Sequence, residues 1–312
     1  MLGSLSDSDK SPDRWSQMDP TGEIYLGDPS IVERAIHAIL QQSYGKNYDA
    51  ALLTTAIGDL TKAYRGEYPG LLRCDTLYHD LRHALEAGLT TARLLDGHAK
   101  SLPQEHSEDR IDANHALLAV VLALFHDIGL LRRDSEAHLW GPSLTPVHEE
   151  RGVEFMKNYL TPSPLARLAE KSVLIMPTKL IFKIPDTWNT LDRMLASLIA
   201  SADLLSQMAD RCYLEKCRDF LFVEFSAFGL AGKVGSPYPD RETLLSKTPS
   251  FYRDIIKQRL DEEFRGVYHL IKLHTGGKNP WEDSIMRNLA FLEEILPSKD
   301  FARLQRQPKT LI

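Results

Sequence analysis

The chain has 312 residues, of which 43% are apolar and 26% are charged. This length is sufficient for one large domain or two small ones, and the composition excludes a disordered or fibrous chain. The formal net charge of −6 argues against a general nucleic-acid binder, because such a protein needs a basic surface. A small phosphorylated ligand stays open, because a local site can differ in charge from the whole chain.

The cysteines and the hydropathy indicate where the protein resides. The chain has three cysteines without the spacing of a disulfide framework, which favours reduced thiols. The longest apolar run, residues 116–125, is too short to span a membrane, and the acidic, polar N-terminus is unlike a signal peptide. The sequence therefore predicts a cytoplasmic protein that does not bind membranes.

Apolar residues recur at helical spacing along most of the chain, and no segment alternates as a strand does. We therefore predict an all-α protein with about eight to ten helices. Residues 172–185 are ambiguous. The predicted helical stretches, in chain order, are 30–40, 50–64, 75–95, 112–125, 148–160, 191–222, 252–274 and 281–296.

Composition and pattern divide the chain into three parts. Residues 1–27 are rich in Ser, Asp, Pro and Gly, which predicts a flexible N-terminal tail. Residues 28–220 contain every motif with recognisable chemistry and are predicted to form a catalytic core. Residues 221–312 carry amphipathic patterns but no chemistry of that kind. We expect them to form a C-terminal helical extension that packs on the core.

The first polar motif is a pair of histidines, His79 and His83, four residues apart. On a helix, this spacing places both side chains on one face. Such a pair can bind a metal ion or lie beside one, but two ordinary surface or core histidines have the same spacing.

The second motif, His126 and Asp127, ends the most apolar segment of the chain. Burial of an imidazole and a carboxylate costs several kcal/mol unless a partner compensates for it, and a divalent metal ion would do so. The alternative is a histidine stabilised by the dipole at a helix C-terminus, with Asp127 in a turn before Gly129.

The third motif is Asp203, which lies in the middle of an apolar helical segment. An acidic side chain in that position is expected to have a partner. It also shares a polar stripe with Gln207 and Asp210, so it is not decisive alone.

Together the three motifs are more specific, because intervening helices can bring them around one point. Two imidazoles and two carboxylates form a mixed nitrogen and oxygen ligand set that suits Zn, Mn, Fe, Ni or Mg. With four protein ligands, an octahedral ion retains open positions for water and substrate.

These motifs resemble the HD-domain superfamily of metal-dependent phosphohydrolases. The segment YHDLRHA (78–84) is similar to the Tyr-His-Asn-x-x-His-Ala signature of the cyclic-nucleotide phosphodiesterases, a branch of that superfamily. The segment LFHDIG (124–129) matches the motif that names the superfamily, and SADLLSQMAD (201–210) supplies the late Asp. The resemblance covers about residues 75–215 and implies a multi-helix, phosphodiesterase-like HD-domain bundle.

The resemblance also implies roles for individual residues. The ligands of a first divalent metal ion would be His83, His126, Asp127 and Asp203. Asp127 would also bridge to a second ion, and His79 would be the general acid, so that His79 and Asp127 are the catalytic residues. A metal ion lowers the pKa of bound water toward about 7, and an imidazole can protonate a leaving oxygen.

The sequence departs from the family pattern at several positions. Asp80 replaces the Asn of the phosphodiesterase signature, and Leu130 and Leu131 stand where relatives have Lys or His. These differences make the number of ions, one or two, an open question. His148 lies near where several HD proteins place a further histidine, and it is a candidate ligand of a second ion. A solvent-exposed histidine at a helix start is the alternative.

We therefore predict a metal-dependent phosphohydrolase that hydrolyses a phosphodiester or phosphomonoester, with a nucleotide as the favoured substrate. A catalytically weak or inactive HD-domain protein that binds a nucleotide for regulation is the alternative, and a helical interaction module is a third. The sequence leaves the oligomeric state open, with a homodimer as one option. Ordinary surface or ion-pair roles are favoured over ligand contacts for the remaining polar residues of interest, Arg82, Arg132, Arg133, Gln207 and Arg211.

Overall fold

The computed structural model describes residues 12–102 and 111–312. Within these two ranges the chain is helical and forms no β-strand, apart from isolated bridges such as that between Met18 and Tyr25. The predicted all-α class is therefore confirmed.

The connections between the helices vary in length, and the longest in the described ranges lie before and after the helix His148–Leu160. The α-helices are α1 (Pro12–Trp15), α2 (Pro29–Tyr44), α3 (Ala50–Arg65), α4 (Leu81–Ser101), α5 (Ala113–Leu124), α6 (His148–Leu160), α7 (Thr190–Ala209), α8 (Tyr213–Lys216), α9 (Phe222–Ala227), α10 (Arg241–Phe251), α11 (Ile271–His274) and α12 (Pro280–Ile295). The segments between the α-helices include 3₁₀ helices at Ile128–Leu130, Gly141–Val147 and Ala166–Thr178. They also include π-helical turns at Cys217–Leu221, Tyr252–Ile256 and Arg259–Glu263.

The centre of the fold is the packing of α4, α5 and α7. Every residue of α5 from Ala116 to Leu124 is buried. The two helices α4 and α5 approach closely at Gly88, where a β-carbon would lie 2.4 Å from the Leu124 side chain. Across the other contact, Ser206 of α7 donates a hydrogen bond to Thr90 of α4 over 3.2 Å. These contacts bring the start of α4, the end of α5 and the middle of α7 together.

The apolar segment Ala113–Leu130 has a mean hydropathy of 1.6 and is long enough, by length and composition alone, to cross a membrane. Inside this fold, however, 89% of it is buried. Burial of this kind is what a core helix shows.

Side-chain caps fix the starts of the three central helices. Asp80 accepts a hydrogen bond from the His83 amide over 3.1 Å, Asp112 caps α5 in the same way, and Asn189 caps α7. Each cap of this kind contributes about 1 kcal/mol. The cap at Asp80 starts the helix at Leu81, later than the predicted start at residue 75.

Order begins earlier than the predicted flexible tail allows. Residues 1–11 lie outside the described residues, but residues 12–27 pack on the fold. The Asp19 carboxylate is fully buried, accepts the amides of Glu23 and Ile24, and pairs with Arg93 over 2.7 Å. The prediction of a flexible tail is wrong for residues 12–27, because the buried ion pair with Arg93 compensates for their polar composition.

Two predicted long helices are interrupted. The stretch 191–222 breaks after α7 because the Asp210 side chain accepts the Cys212 amide over 2.7 Å and thereby turns the chain. The stretch 252–274 breaks at Arg265 and Gly266, which have positive φ angles of 54° and 67°. Helix α10 lies in a region for which no helix was predicted.

The C-terminal region packs on the remainder of the chain as one continuous core. Trp281 and Leu292, both fully buried, belong to the same apolar cluster as α4, α5 and α7. The end of the chain returns to the start of α4, where Leu81 donates its amide to the Leu311 carbonyl over 3.0 Å.

Candidate metal centre

Four predicted site residues converge at the meeting point of the central helices. His83 lies in the first turn of α4, His126 and Asp127 directly follow α5, and Asp203 lies in the middle of α7. All four are at most 5% exposed. We refer to these four residues as the metal-ligand cluster.

The ligand atoms of this cluster lie at the separations of atoms that share one ion. The Nε2 atoms of His83 and His126 are 3.2 Å apart. Asp203 Oδ1 lies 3.1 Å and 3.4 Å from these two nitrogens, and Asp127 Oδ2 lies 3.5 Å and 3.1 Å from them. Neighbouring atoms that bind one ion at about 2.0–2.2 Å are roughly 3–3.5 Å apart. The group His83, His126 and Asp203 could therefore hold a metal ion, and Asp127 adds a fourth candidate ligand atom, the second oxygen of the set.

The ring orientation of His126 exposes a lone pair to the cluster. Its Nδ1 donates to the Ala123 carbonyl over 2.8 Å, which places the proton on Nδ1 and leaves Nε2 as a lone-pair donor. This arrangement, in which a backbone acceptor fixes the tautomer, is typical of metal-binding histidines.

The cluster has an excess of negative charge and lone pairs without partners. Asp127 Oδ2 is buried and accepts no hydrogen bond from the described residues. Burial alone would lower the pKa of His126, but the carboxylates of Asp127 and Asp203 outweigh it and raise that pKa well above its usual range. The cluster therefore attracts positive charge, and a divalent cation satisfies all four ligand atoms at once.

His148, the candidate for a second ion, lies on the other side of Asp127. Its Nε2 is 3.3 Å from Asp127 Oδ1, and its Nδ1 donates to the Thr145 carbonyl over 2.7 Å. Asp127 therefore turns one oxygen toward His83 and His126 and the other toward His148. The alternative of a solvent-exposed histidine does not describe this side chain, which is 11% exposed.

His79 lies beside the cluster but not on the predicted helix. Because Asp80 caps α4, His79 precedes the helix, and the expected shared helix face with His83 is wrong. The ring of His79 is nevertheless close to both flanking histidines, with centroids 6.1 Å from His83 and 6.4 Å from His148.

A residue from the C-terminal region, Glu224, holds His79. Its Oε2 accepts a hydrogen bond from His79 Nδ1 over 2.7 Å, and its Oε1 accepts the Tyr78 amide over 2.6 Å. Burial would lower the pKa of His79, but Glu224, Asp127 and Asp203 outweigh it and raise that pKa to about 9. Sequence reasoning missed Glu224, although a lone acid between Phe222 and Phe225 was a usable signal.

The secondary arginine candidates have structural partners. Arg82 pairs with Asp210 over 2.9 Å, Arg132 with Asp75 over 3.0 Å and Arg133 with Glu154 over 2.6 Å. The Arg211 guanidinium stacks on the Trp15 ring at 4.2 Å. The favoured ion-pair and surface interpretation describes these four arginines. Gln207 differs, because it donates to Asp203 Oδ1 over 2.5 Å and so contacts the metal-ligand cluster.

Comparison with known proteins gives one partial match. A family model described as Npun_R2479-like matches residues 136–279. This range includes His148, Asp203 and Glu224 but not His83, His126 or Asp127. No curated protein matches the chain.

Proposed function

We propose that the protein is a metal-dependent phosphohydrolase of the HD-domain superfamily, with a nucleotide as the favoured substrate. The observation that carries this proposal is the facing pair of buried imidazole nitrogens, His83 Nε2 and His126 Nε2, flanked by the carboxylates of Asp127 and Asp203. Two buried imidazole nitrogens 3.2 Å apart, each within 3.5 Å of two carboxylate oxygens, form a mixed ligand set that suits a divalent cation.

The chain offers a ligand set for one ion and part of a set for a second. The metal-ligand cluster would hold the first ion, and Asp127 Oδ1 with His148 would hold the second. A bound divalent ion would lower the pKa of a water ligand toward about 7 and neutralise charge on the phosphoryl oxygens.

His79 is suited to protonate the leaving oxygen. The carboxylate of Glu224, 2.7 Å from Nδ1, raises the pKa of His79 and so favours the protonated imidazolium. Glu224 engages the Nδ1 edge of the ring, so the Nε2 edge stays available for the leaving group. A proton donor positioned in this way contributes roughly 10²–10⁴-fold to a rate.

Substrate access favours the side of the cluster on which His79 and His148 lie. Their side chains are 13% and 11% exposed, whereas those of His126 and Asp127 are 2% and 3% exposed. A phosphoryl group that arrives from this side meets both histidines before it reaches the buried ligands.

The deciding experiment measures metal content and hydrolysis on the same preparation. We expect elemental analysis of the purified protein to find a transition metal. We also expect a panel of nucleotides and aryl phosphates, assayed with Mn, Ni, Mg and Zn, to include a hydrolysed compound.

A variant of the proton donor separates binding from chemistry. We expect His79→Asn to lower turnover at least about 100-fold while metal content stays unchanged. His138→Asn, a change in a histidine outside the site, is the matched control and is expected to retain activity. Absence of metal from the wild type, with none bound on addition, would refute the proposal.

A second candidate function is nucleotide-dependent regulation without turnover. The observation in its favour is that Leu130 and Leu131 are both 2% exposed and pack as apolar residues where relatives have Lys or His. Metal binding and nucleotide binding without hydrolysis of any compound in the panel would favour this alternative.

A further inference from the structure

A small internal cavity lies beside the metal-ligand cluster. Its volume of about 10 Å³ is close to what one water molecule requires. Its lining includes Tyr78, His83, Glu86, Gln207, Asp210 and Lys216.

Buried ionic side chains surround this cavity. Asp210 pairs with Arg82 over 2.9 Å and with Lys216 over 2.8 Å, and Glu86 lies one helical turn from Arg82 on α4. All four side chains are at most 5% exposed. We refer to Arg82, Glu86, Asp210 and Lys216 as the charge cluster.

The charge cluster has polar atoms without partners in the described part of the chain. Glu86 Oε1 is buried and has no hydrogen-bond partner, and the same is true of Arg82 Nε and Nη1. An unsatisfied buried polar atom costs about 1–3 kcal/mol. An internal water next to such atoms removes part of that cost.

His83 connects the cavity to the metal-ligand cluster. Its Nε2 faces His126 and Asp203, so the opposite edge of the ring, with Nδ1, is directed away from those ligands. Metal-binding histidines generally donate this second N–H to a carboxylate, a backbone carbonyl or a water. Because His83 also lines the cavity, a partner in the cavity can accept that hydrogen bond.

We propose that the cavity holds one water molecule that accepts a hydrogen bond from His83 Nδ1 and donates one to the Glu86 carboxyl group. Glu86 is then a positioning residue that acts through the water on His83. The positive charges of Arg82 and Lys216 act on this carboxyl group through space, whereas the negative charge of Asp210 opposes them. This inference rests on the proposed metal centre, in which His83 is a ligand.

The arrangement does not depend on the charge of Glu86. Burial raises the pKa of Glu86 to about 8, so the carboxyl group retains a proton below that pH. In either form it presents an oxygen that can accept a hydrogen bond from the water.

The same cavity supports a second ligand. Gln207 donates to Asp203 Oδ1 over 2.5 Å and accepts a hydrogen bond from the Tyr78 hydroxyl over 3.3 Å. Tyr78 and Gln207 both line the cavity. Two ligands on different helices, His83 and Asp203, are therefore supported from one internal site.

The first test uses calorimetry to compare the Mn²⁺ affinity of the wild type with that of two Glu86 variants, each as the full chain and with Mn²⁺ as the only ligand. We expect Glu86→Leu to weaken Mn²⁺ binding about 10- to 100-fold, the range for loss of an outer partner of a ligand. Glu86→Gln retains an oxygen acceptor and is expected to stay within about threefold of the wild type. If the leucine variant does not fold, Glu86→Gln still tests the proposal, because a large loss of Mn²⁺ affinity in this variant would contradict it.

The matched control is Asp96→Asn. Asp96 is a buried acid of the same helix, 2% exposed, but it lies about 20 Å along the helix from His83. We expect its Mn²⁺ affinity to equal that of the wild type. An equal loss in this control and in Glu86→Leu would overturn the inference, because it would indicate general destabilisation.

A metal-independent measurement separates this inference from the proposed function. In the metal-free protein, the ¹⁵N NMR signals of the His83 ring, which report its tautomer, are expected to be the same in the wild type and in Glu86→Gln and to change in Glu86→Leu, which cannot accept a hydrogen bond from the water. If no metal binds but the tautomer changes in this way, the function fails and the positioning role stands. If metal binds and Glu86→Leu alters neither affinity nor tautomer, the positioning role is refuted.

Discussion

The metal-ligand cluster and the charge cluster both bury ionisable side chains along α4, but they are neutralised differently. In the charge cluster, Arg82 and Lys216 face Asp210 at 2.9 Å and 2.8 Å. In the metal-ligand cluster, the carboxylates face imidazoles, and Asp127 Oδ2 has no hydrogen-bond donor among the described residues. Burial of charge therefore does not by itself indicate a metal site, and it is the convergence of carboxylate oxygens on imidazole nitrogens that makes the first cluster the candidate.

The largest expected effect follows from removal of Asp127, the carboxylate that faces His83 and His126 with one oxygen and His148 with the other. We expect Asp127→Ala to reduce metal content to less than about one tenth and hydrolysis by at least about 100-fold, because the ion loses one of its anionic ligands. Elemental analysis and a phosphatase assay check this. Asp112→Asn, an exposed acid at the start of α5, is the control, and unchanged metal content in Asp127→Ala would exclude Asp127 as a ligand.

In the charge cluster we expect a loss of stability instead. Arg82→Met leaves Asp210 with Lys216 as its remaining cation, and breaking a buried pair costs about 3–5 kcal/mol. Chemical denaturation should show a loss of unfolding free energy near the lower end of that range, equal with and without a chelator. A loss that disappears in the chelator would mean that Arg82 acts through the metal.

Glu224 allows a test of the proton donor by pH. Because Glu224 helps to raise the pKa of His79 to about 9, Glu224→Gln should lower that pKa. The alkaline limb of the pH profile of kcat should then shift to lower pH by at least about one unit. Glu215→Gln, which changes another buried acid, in α8, should leave the profile unchanged.

The raised pKa of His79 also determines how the stability of the fold changes with pH. The folded-state pKa of His79 is above the unfolded value of 6.5. Its stabilisation is therefore fully present below about pH 6.5 and is lost as the pH rises through about 9. A wild-type protein whose stability increased across this window, with no such increase in His79→Asn, would contradict the assignment.

The smallest expected effect concerns an exposed ion pair. Arg133 and Glu154 lie 2.6 Å apart, but their side chains are 47% and 60% exposed. Glu154→Gln should change the free energy of unfolding by less than about 1 kcal/mol and leave metal content unaltered. A larger change would mean that this pair has a role beyond the surface.

Three of the four cluster residues could be singled out from the sequence because they interrupt a local pattern, whereas His83 was singled out by its spacing from His79 and by the family resemblance. His126 and Asp127 end the most apolar segment of the chain, and Asp203 lies inside an apolar helix. Such departures have a free-energy cost that only a partner compensates. The sequence could therefore identify the residues before any contact between them was known.

Glu224 and Glu86 were not predictable in the same way, because their roles depend on contacts across the fold. Glu224 reaches His79 over 145 residues of sequence, and no spacing rule covers that distance. The role of Glu86 depends on a cavity that forms only when α4 and α7 pack. The start of α4, in contrast, could have been predicted from the sequence, because Asp, the residue at position 80, is favoured as an N-cap.

The return of the chain end to α4 has a consequence for the start of that helix. One oxygen of Asp80 accepts the His83 amide, and the other accepts the Leu311 amide over 2.8 Å. Changes at Leu311 therefore act on the start of α4. Leu311→Pro, which removes this amide donor, is expected to weaken the cap that positions His83.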